Sequence, residues 1–228
     1  MDRGLYIAAS GMLAEQIRQD QIANDLANAS TPGYKADRTS QRTFNDLLLQ
    51  NSATGATVGP QSTAVQIDKI TTDFSAQPVK DTGEPLDFAI VGDGFFAVQT
   101  AQGTRYTRNG QFALDPQGRL VTNAGHLVLD AGGRTITATN GTVDPRRIGV
   151  VALNNPVKQG DSLVTGTPAG AANGTVRAGA LEGSGADPAR SMVDMIDSMR
   201  AFEAGQKVIQ AIDETLGKAA TQVGSTTN

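Results

Sequence analysis

Cysteine and tryptophan are absent from this chain, histidine occurs once, and aromatic residues make up only 4% of it. Without cysteine there is no disulfide framework and no thiolate metal site. The chain therefore suits either a reducing compartment or export into an oxidising one without mispairing. No apolar run approaches the ~20 residues that span a bilayer, so membrane insertion is not expected. The opening Met1-Asp-Arg-Gly-Leu5 lacks the long apolar stretch of a cleavable secretory signal. If the protein is exported, the expected route uses no such signal. Clustered positive charge is missing too: the formal net charge is -4, the pI is about 5.0, and Arg146-Arg147 is the densest basic pair. Nucleic acid is excluded as a main partner, because its phosphates need clustered Lys and Arg.

What remains is 228 residues with 39% hydrophobic content, enough for a core, and 26 glycines that favour turns. In the first segment Leu5, Ala9, Met12, Ala23 and Leu26 recur at three- and four-residue steps, interrupted by Gln16 and Gln19, with Leu13 and Ile17 on an adjacent line. That spacing predicts a helix of about 27 residues, roughly 40 Å long. Thr31-Pro32-Gly33 stops it, since the residue before proline is pushed out of the helical region and glycine permits a sharp exit. The last segment carries a longer stripe: Met192, Met195, Met199, Phe202, Gly205, Ile209, Ile212, Leu216, Ala219 and Val223. Asp187 is a candidate N-cap and Pro188 fits the first helical position; Arg190 rules out a capping box. Gly205 and Gly217 each cost a helix about 1 kcal/mol relative to alanine. They imply a helix that is marginal alone or one that needs close approach to a neighbour.

Between these helices turn signals recur every seven to ten residues, among them Gly92-Asp-Gly94, Asn109-Gly110, Asp115-Pro-Gln-Gly118, Gly132-Gly133 and Asn140-Gly141. They separate short apolar runs such as Phe95-Phe-Ala-Val98 and Ile148-Gly-Val-Val-Ala-Leu153, the rhythm of antiparallel β-structure. No internal repeat of fixed period is visible. The expected fold is α+β. Its segments are an N-terminal helix (1–38), an extended arm or small hairpin (39–85), a central all-β domain (86–182) and a C-terminal helix (183–228), with the two helices pairing like a coiled coil.

Sites of chemistry do not emerge. A phosphate cradle at Gly92-Asp-Gly94 would need a following helix, and a strand follows instead. His126 has no carboxylate pair or nucleophilic serine motif around it. Asp194, Asp197, Glu203, Asp213 and Glu214 scatter over the polar side of the last helix, as a solvated face or as inter-subunit ion pairs. The sequons at Asn28, Asn140 and Asn173 are read as chance matches. Met192, Met195 and Met199 fit either ordinary core or an adaptable recognition groove. No metal, cofactor or catalytic residue is assigned.

The stretch Ile22-Ala-Asn-Asp-Leu-Ala-Asn-Ala-Ser-Thr-Pro-Gly-Tyr-Lys35 resembles the N-terminal signature of bacterial flagellar axial proteins of the rod and hook; Asn24, Leu26, Asn28, Thr31, Gly33 and Tyr34 are its motif positions. Three further blocks are similar to that family in the same order. They are Gly92-Asp-Gly-Phe-Phe-Ala-Val98, then Tyr106 to Phe112 with Asp115 to Thr122, and finally Leu181-Glu-Gly-Ser184 with Met195 to Glu203 and Lys207-Val-Ile209. Met1-Asp-Arg3 and the Leu-Glu-Gly-Ser block look most like the proximal-rod type, and the hairpin block is shared with the distal-rod type. Two departures touch local geometry: Asp25 where an Asn is usual, and Gly185-Ala-Asp187 after Ser184.

The resemblance implies a non-enzymatic subunit of the periplasmic rod, which leaves through the flagellar export apparatus and polymerises with copies of itself and neighbouring rod subunits into a tubular drive shaft. Its terminal helices would form the family's coiled-coil-like inner domain, called D0. The assembly interface is then expected at Leu5, Ala9, Met12, Ala23, Leu26, Met192, Met195, Met199, Phe202, Ile209, Ile212 and Leu216. Phe202 is expected to be largely wet in the monomer. Two alternatives stand beside this: an adhesin-like or hook-like surface protein, and an enzyme acting on cell-wall glycan, for which no carboxylate pair is nominated.

Overall fold

The computed structural model describes residues 2–50, 57–139, 141–160 and 162–224. Helix α1 spans Asp2–Ala27 and helix α2 spans Pro188–Gly224, and the described chain between them is β-rich, so the protein is α+β. The turn at Asn140-Gly141 begins outside the described residues, and so does the side chain of Val223.

Two compact units divide the chain differently from the four sequence segments. One comprises residues 1–26, 37–71 and 188–228, the other residues 27–36 and 72–187. The helical unit contains α1, α2 and two long strands, β1 (Asp37–Gln50) and β2 (Thr57–Thr72), which pair as a two-stranded sheet. Arg42 and Asp68 bridge these strands at 2.9 Å. The pair is fastened to α1 by Ser10, whose Oγ accepts from the Val65 backbone amide at 3.2 Å, and by Gln41 Nε2 donating to Glu15 Oε1.

The β unit is built on a seven-stranded antiparallel sheet. Its strands are β5 (Phe95–Thr100), β6 (Gly103–Thr107), β7 (Phe112–Leu114), β8 (Leu120–Thr122), β9 (Leu127–Val128), β10 (Val150–Gln159) and β11 (Leu163–Ala171), in the order β10-β11-β6-β5-β9-β8-β7. β10 also pairs with β5, so β5, β6, β11 and β10 close on themselves as a small four-stranded ring. Bulges in β10 supply the bend, and Asn155 in one of them has φ 49°. Two ribbons complete the unit: β4 (Phe88–Val91) with β12 (Thr175–Ala178), and β3 (Val79–Asp81) with β13 (Ala180–Glu182).

Strand β5 is buried on both faces, which is why Phe95-Phe-Ala-Val98 is apolar without alternation. Phe96 and Val98 enter one core with Phe88, Ile90, Phe112, Leu120 and Ile136; Phe95 and Ala97 enter a second with Tyr106, Leu129 and Val164. Ring pairs tie each core together, Phe96–Phe112 at 5.3 Å and Phe74–Phe95 at 5.9 Å, both edge to face.

One turn is used twice. In Asp115-Pro-Gln-Gly-Arg119 and Asp130-Ala-Gly-Gly-Arg134 the aspartate accepts from the backbone amides two and four residues on, and its second oxygen pairs with the arginine Nε. The glycine before each arginine takes φ near +75° (74° and 75°), a region glycine enters without penalty. The Asp-x-x-Gly-Arg likeness is legible in the sequence once the turn is known.

Candidate assembly interface

In the helical unit α1 and α2 run antiparallel. Three close approaches set the register: Gly4 against Ile212, Gly205 against Met12, and Ser198 against Glu15. Apart from Asp194, the residues of α2 withdrawn from solvent between Pro188 and Gln222 are Ser191, Met195, Ser198, Phe202, Gly205, Ile209 and Ile212, at alternating steps of four and three. That is a heptad seam. Small residues let the helices approach: a Cβ at Gly205 would lie 2.7 Å from Met12 Cγ. Ser198, fully buried, donates to Glu15 Oε2 at 2.7 Å.

The anticipated stripe is therefore split. Met195, Phe202, Ile209 and Ile212 lie in the seam, but Met192, Met199 and Leu216 are exposed, and the seam passes through Ser191 and Ser198 instead. On α1, Met12 and Leu26 are half-buried, whereas Leu5, Ala9 and Ala23 face solvent; the most buried side chains are Ala14, Ile22 and Asp25. The expectation of a wet Phe202 is corrected: it sits half-buried on the face that carries Ser198 and Gly205. A one-residue shift separates the apolar count from the packed face, because serine and glycine bring the backbones together and larger residues would hold them apart.

Two apolar faces stay outside the seam. α1 exposes Tyr6 at 63%, with Leu13 and Ile17 beside it, and α2 exposes Met192, Val193, Ile196 and Met199, the last at 51%. Beyond Ile212, every residue of α2 from Asp213 to Gln222 is exposed.

The remaining motif positions fall in the β unit and form a buried junction. α1 ends at Ala27, earlier than the proline, and Asn28 to Gly33 make turns in which the Thr31 amide donates to the Asn28 carbonyl. Gly33 adopts φ 66° with its Cα against the Arg108 backbone, where any Cβ would overlap the Arg108 carbonyl. Tyr34 and Lys35 are then buried. This stretch is knitted to the one that precedes α2: the Gly33 amide donates to the Glu182 carbonyl, the Gly185 amide to the Tyr34 carbonyl, and Ser184 Oγ to the Asn28 carbonyl.

At the centre lies Glu182, 1% exposed. Lys35 Nζ meets its Oε1 at 2.7 Å and Arg108 Nη1 meets its Oε2 at 3.1 Å. The Gln77 amide donates to Oε1 at 2.8 Å, Lys35 Nζ also donates to the Ser75 carbonyl, and Arg108 Nη2 to the Gly92 carbonyl. Burial pushes the Lys35 pKa below 10.5, against the opposing hydrogen bond and charge of Glu182. The Arg108 guanidinium lies 5.3 Å over the Phe95 ring, and Lys158 Nζ sits 4.0 Å over the Tyr34 ring while donating to the Lys35 carbonyl. Lys35, Arg108 and Glu182 stand in three of the resemblance blocks, yet sequence reasoning gave them no role. Each of those blocks carries other charged residues as well, Asp25, Asp115, Arg119, Asp197, Arg200 and Glu203 among them, so charge alone does not single these three out.

Among the described residues no three His, Asp or Glu side chains gather as a metal site, and no helix is long and apolar enough to cross a membrane. His126 is half-buried in the turn before β9, its amide donating to Thr122.

Three family models match. Residues 5–35 match the flagella basal body rod protein model, 89–152 the D1 domain of flagellar hook proteins FlgE, FlgF and FlgG, and 177–222 the C-terminal model of the basal body rod proteins FlgE, FlgF and FlgG. Among similar proteins are the flagellar hook-basal body complex protein FlhO of Bacillus subtilis, 31% identical over 98% of this chain and 99% of that one, and the basal-body rod protein FlgG of Agrobacterium fabrum, 34% identical over 93% and 96%. The basal-body rod protein FlgF of Escherichia coli is 32% identical over 96% and 97%.

Proposed function

The chain belongs to the flagellar rod and hook protein family, and from that membership we propose that it builds the basal-body rod by packing the outer faces of its paired helices against those of neighbouring subunits. It is a structural protein of the rod. Relatives named FlgF and FlgG match at the same level, so a proximal position rests on Met1-Asp-Arg3, on Leu181-Glu-Gly-Ser184 and on the shortness of the segment from Asn51 to Leu86. The subunit works in the periplasm, carries no enzymatic activity, and reaches its place through the flagellar export apparatus.

One observation supports the assembly surface: the seam is already filled by Met195, Phe202, Ile209 and Ile212, while Tyr6, Leu13, Ile17, Met192, Ile196 and Met199 remain in solvent. Contiguous exposed apolar area of this kind marks an interaction surface, and burying one such side chain contributes about 1.5–3 kcal/mol per contact. A helical polymer repeats that contact in every subunit.

The test is Met199→Asp. It should leave the monomer's melting midpoint unchanged and fail to restore motility to a strain lacking the gene. Normal swimming would remove this face from the assembly.

A further inference from the structure

Methionine carries all the sulfur in this chain, which has five methionines and no cysteine. Met12, Met192, Met195 and Met199 lie among the described residues, and they divide between two settings. Met12 and Met195 are half-buried, Met12 at the close approach of Gly205 and Met195 in the α2 seam. Met192 and Met199 are 55% and 51% exposed. Two helical turns separate these two, about 10 Å along one line of α2, and Val193 and Ile196 stand exposed between them. The outer face of α2 is thus an apolar surface with a thioether at each end.

A solvent-exposed thioether is open to oxidation by a hydroperoxide. The sulfur lone pair attacks the peroxide oxygen, the O–O bond breaks, an S–O bond forms, and hydrogen peroxide leaves as water once the proton has moved to the departing oxygen. Sulfur is oxidised to the sulfoxide and peroxide is reduced. No cysteine in the chain competes for the oxidant. The product is polar and chiral where the thioether was apolar and pliant. Because Met192 and Met199 lie outside the seam, the change leaves the α1–α2 pair intact. It falls on the outer face, where a sulfoxide covered by an apolar neighbour would lose its water without gaining a donor.

We propose that Met192 and Met199 form an oxidation site on the assembly face, converted by hydroperoxides to methionine sulfoxide in the free subunit, and that the modified subunit is excluded from the rod. The inference rests on the assembly surface proposed above and adds a chemical control to it. Free and incorporated subunits differ in their exposure to the oxidant, since the neighbour that buries this face also shields its two sulfurs. The seam thioethers are shielded in both.

Dilute hydrogen peroxide on the purified full chain, followed by peptide mass spectrometry, tests the site. Sulfoxide should form severalfold faster at Met192 and Met199 than at Met12 and Met195, with the melting midpoint of the oxidised chain unchanged. Equal rates at all four, or a lowered midpoint, would overturn the proposal. Two double variants in a strain lacking the gene test the consequence. Met192→Leu with Met199→Leu keeps the face apolar and should restore swimming; Met192→Gln with Met199→Gln, close to the sulfoxide in length and polarity, should not. Loss of swimming in the leucine pair would overturn the proposal, because the thioethers would then matter for more than their apolar bulk. If the glutamine pair swims while Met199→Asp does not, the assembly face stands and the oxidation site fails. If Met199→Asp swims as well, the assembly face itself fails and this inference with it.

Discussion

In the β unit Phe88, Phe96 and Leu120 are fully enclosed and even Lys35, Arg108 and Glu182 are taken out of water, whereas in the helical unit Tyr6, Leu13, Ile196 and Met199 stand in solvent. A sheet closed partly on itself has two faces to bury and supplies both cores from its own strands. A pair of helices has one shared seam, and whatever apolar residues lie outside it need another molecule. The contrast places the enclosed cores in one unit and the exposed apolar faces in the other.

The comparison breaks hardest at Glu182. Glu182→Gln should cost the β unit about 3–5 kcal/mol, because it strands two buried cations with no counter-charge. Denaturant unfolding followed by a probe in the β unit measures this. A loss under ~1 kcal/mol would mean that water reaches the junction and that the unit is no drier than the helices.

The two faces of α2 sharpen it next. Phe202→Asp puts a carboxylate in the seam beside Ser198 and Gly205 and should destabilise the monomer by about 1–3 kcal/mol, the α1–α2 pair melting earlier by circular dichroism. Met199→Asp, three residues away, should be silent in the same measurement. Equal effects at the two positions would erase the distinction between an inner and an outer face.

A smaller effect concerns pH. Burial holds the Lys35 pKa below 10.5 in the folded chain, so between that depressed value and 10.5 the unfolded state binds more protons and stability rises with pH; below it both states are protonated and the slope vanishes. Lys35→Met, which leaves Glu182 paired with Arg108, should remove that rise. Melting midpoints of both chains from neutral to about pH 10 would show it, and parallel curves would count against a dry junction.

The weakest effect lies on the β-unit surface. Asp130 is held below the usual carboxylate range by the Arg134 amide, then by the Gly132 amide and the Arg134 side chain, with burial opposing. Its contribution is present above pH 3.8 and is lost as pH falls through the depressed folded value. Asp130→Asn should lower the melting midpoint slightly above pH 3.8 and leave it unchanged below the depressed folded value, so that the acid limb flattens, and a variant curve that runs parallel to the parent's would count against this role of the turn.

Much of this was legible in the sequence. Three- and four-residue spacing marks both helices, Pro188 marks the start of α2, and glycine-bearing turns separate the strands, because each depends on neighbours within a few residues. The apolar run Phe95-Phe-Ala-Val98 marks a strand for the same reason, whereas its burial on both faces came with the sheet. Tertiary structure alone decided which side of α2 is inner: Ser191 and Ser198 take seam positions because the helices approach closely there, and a hydrophobic count passes over serine. It also decided that Lys35, Arg108 and Glu182 meet. They are separated by 73 and 74 positions in the chain, and a buried ion network depends on three-dimensional juxtaposition, which no local period encodes.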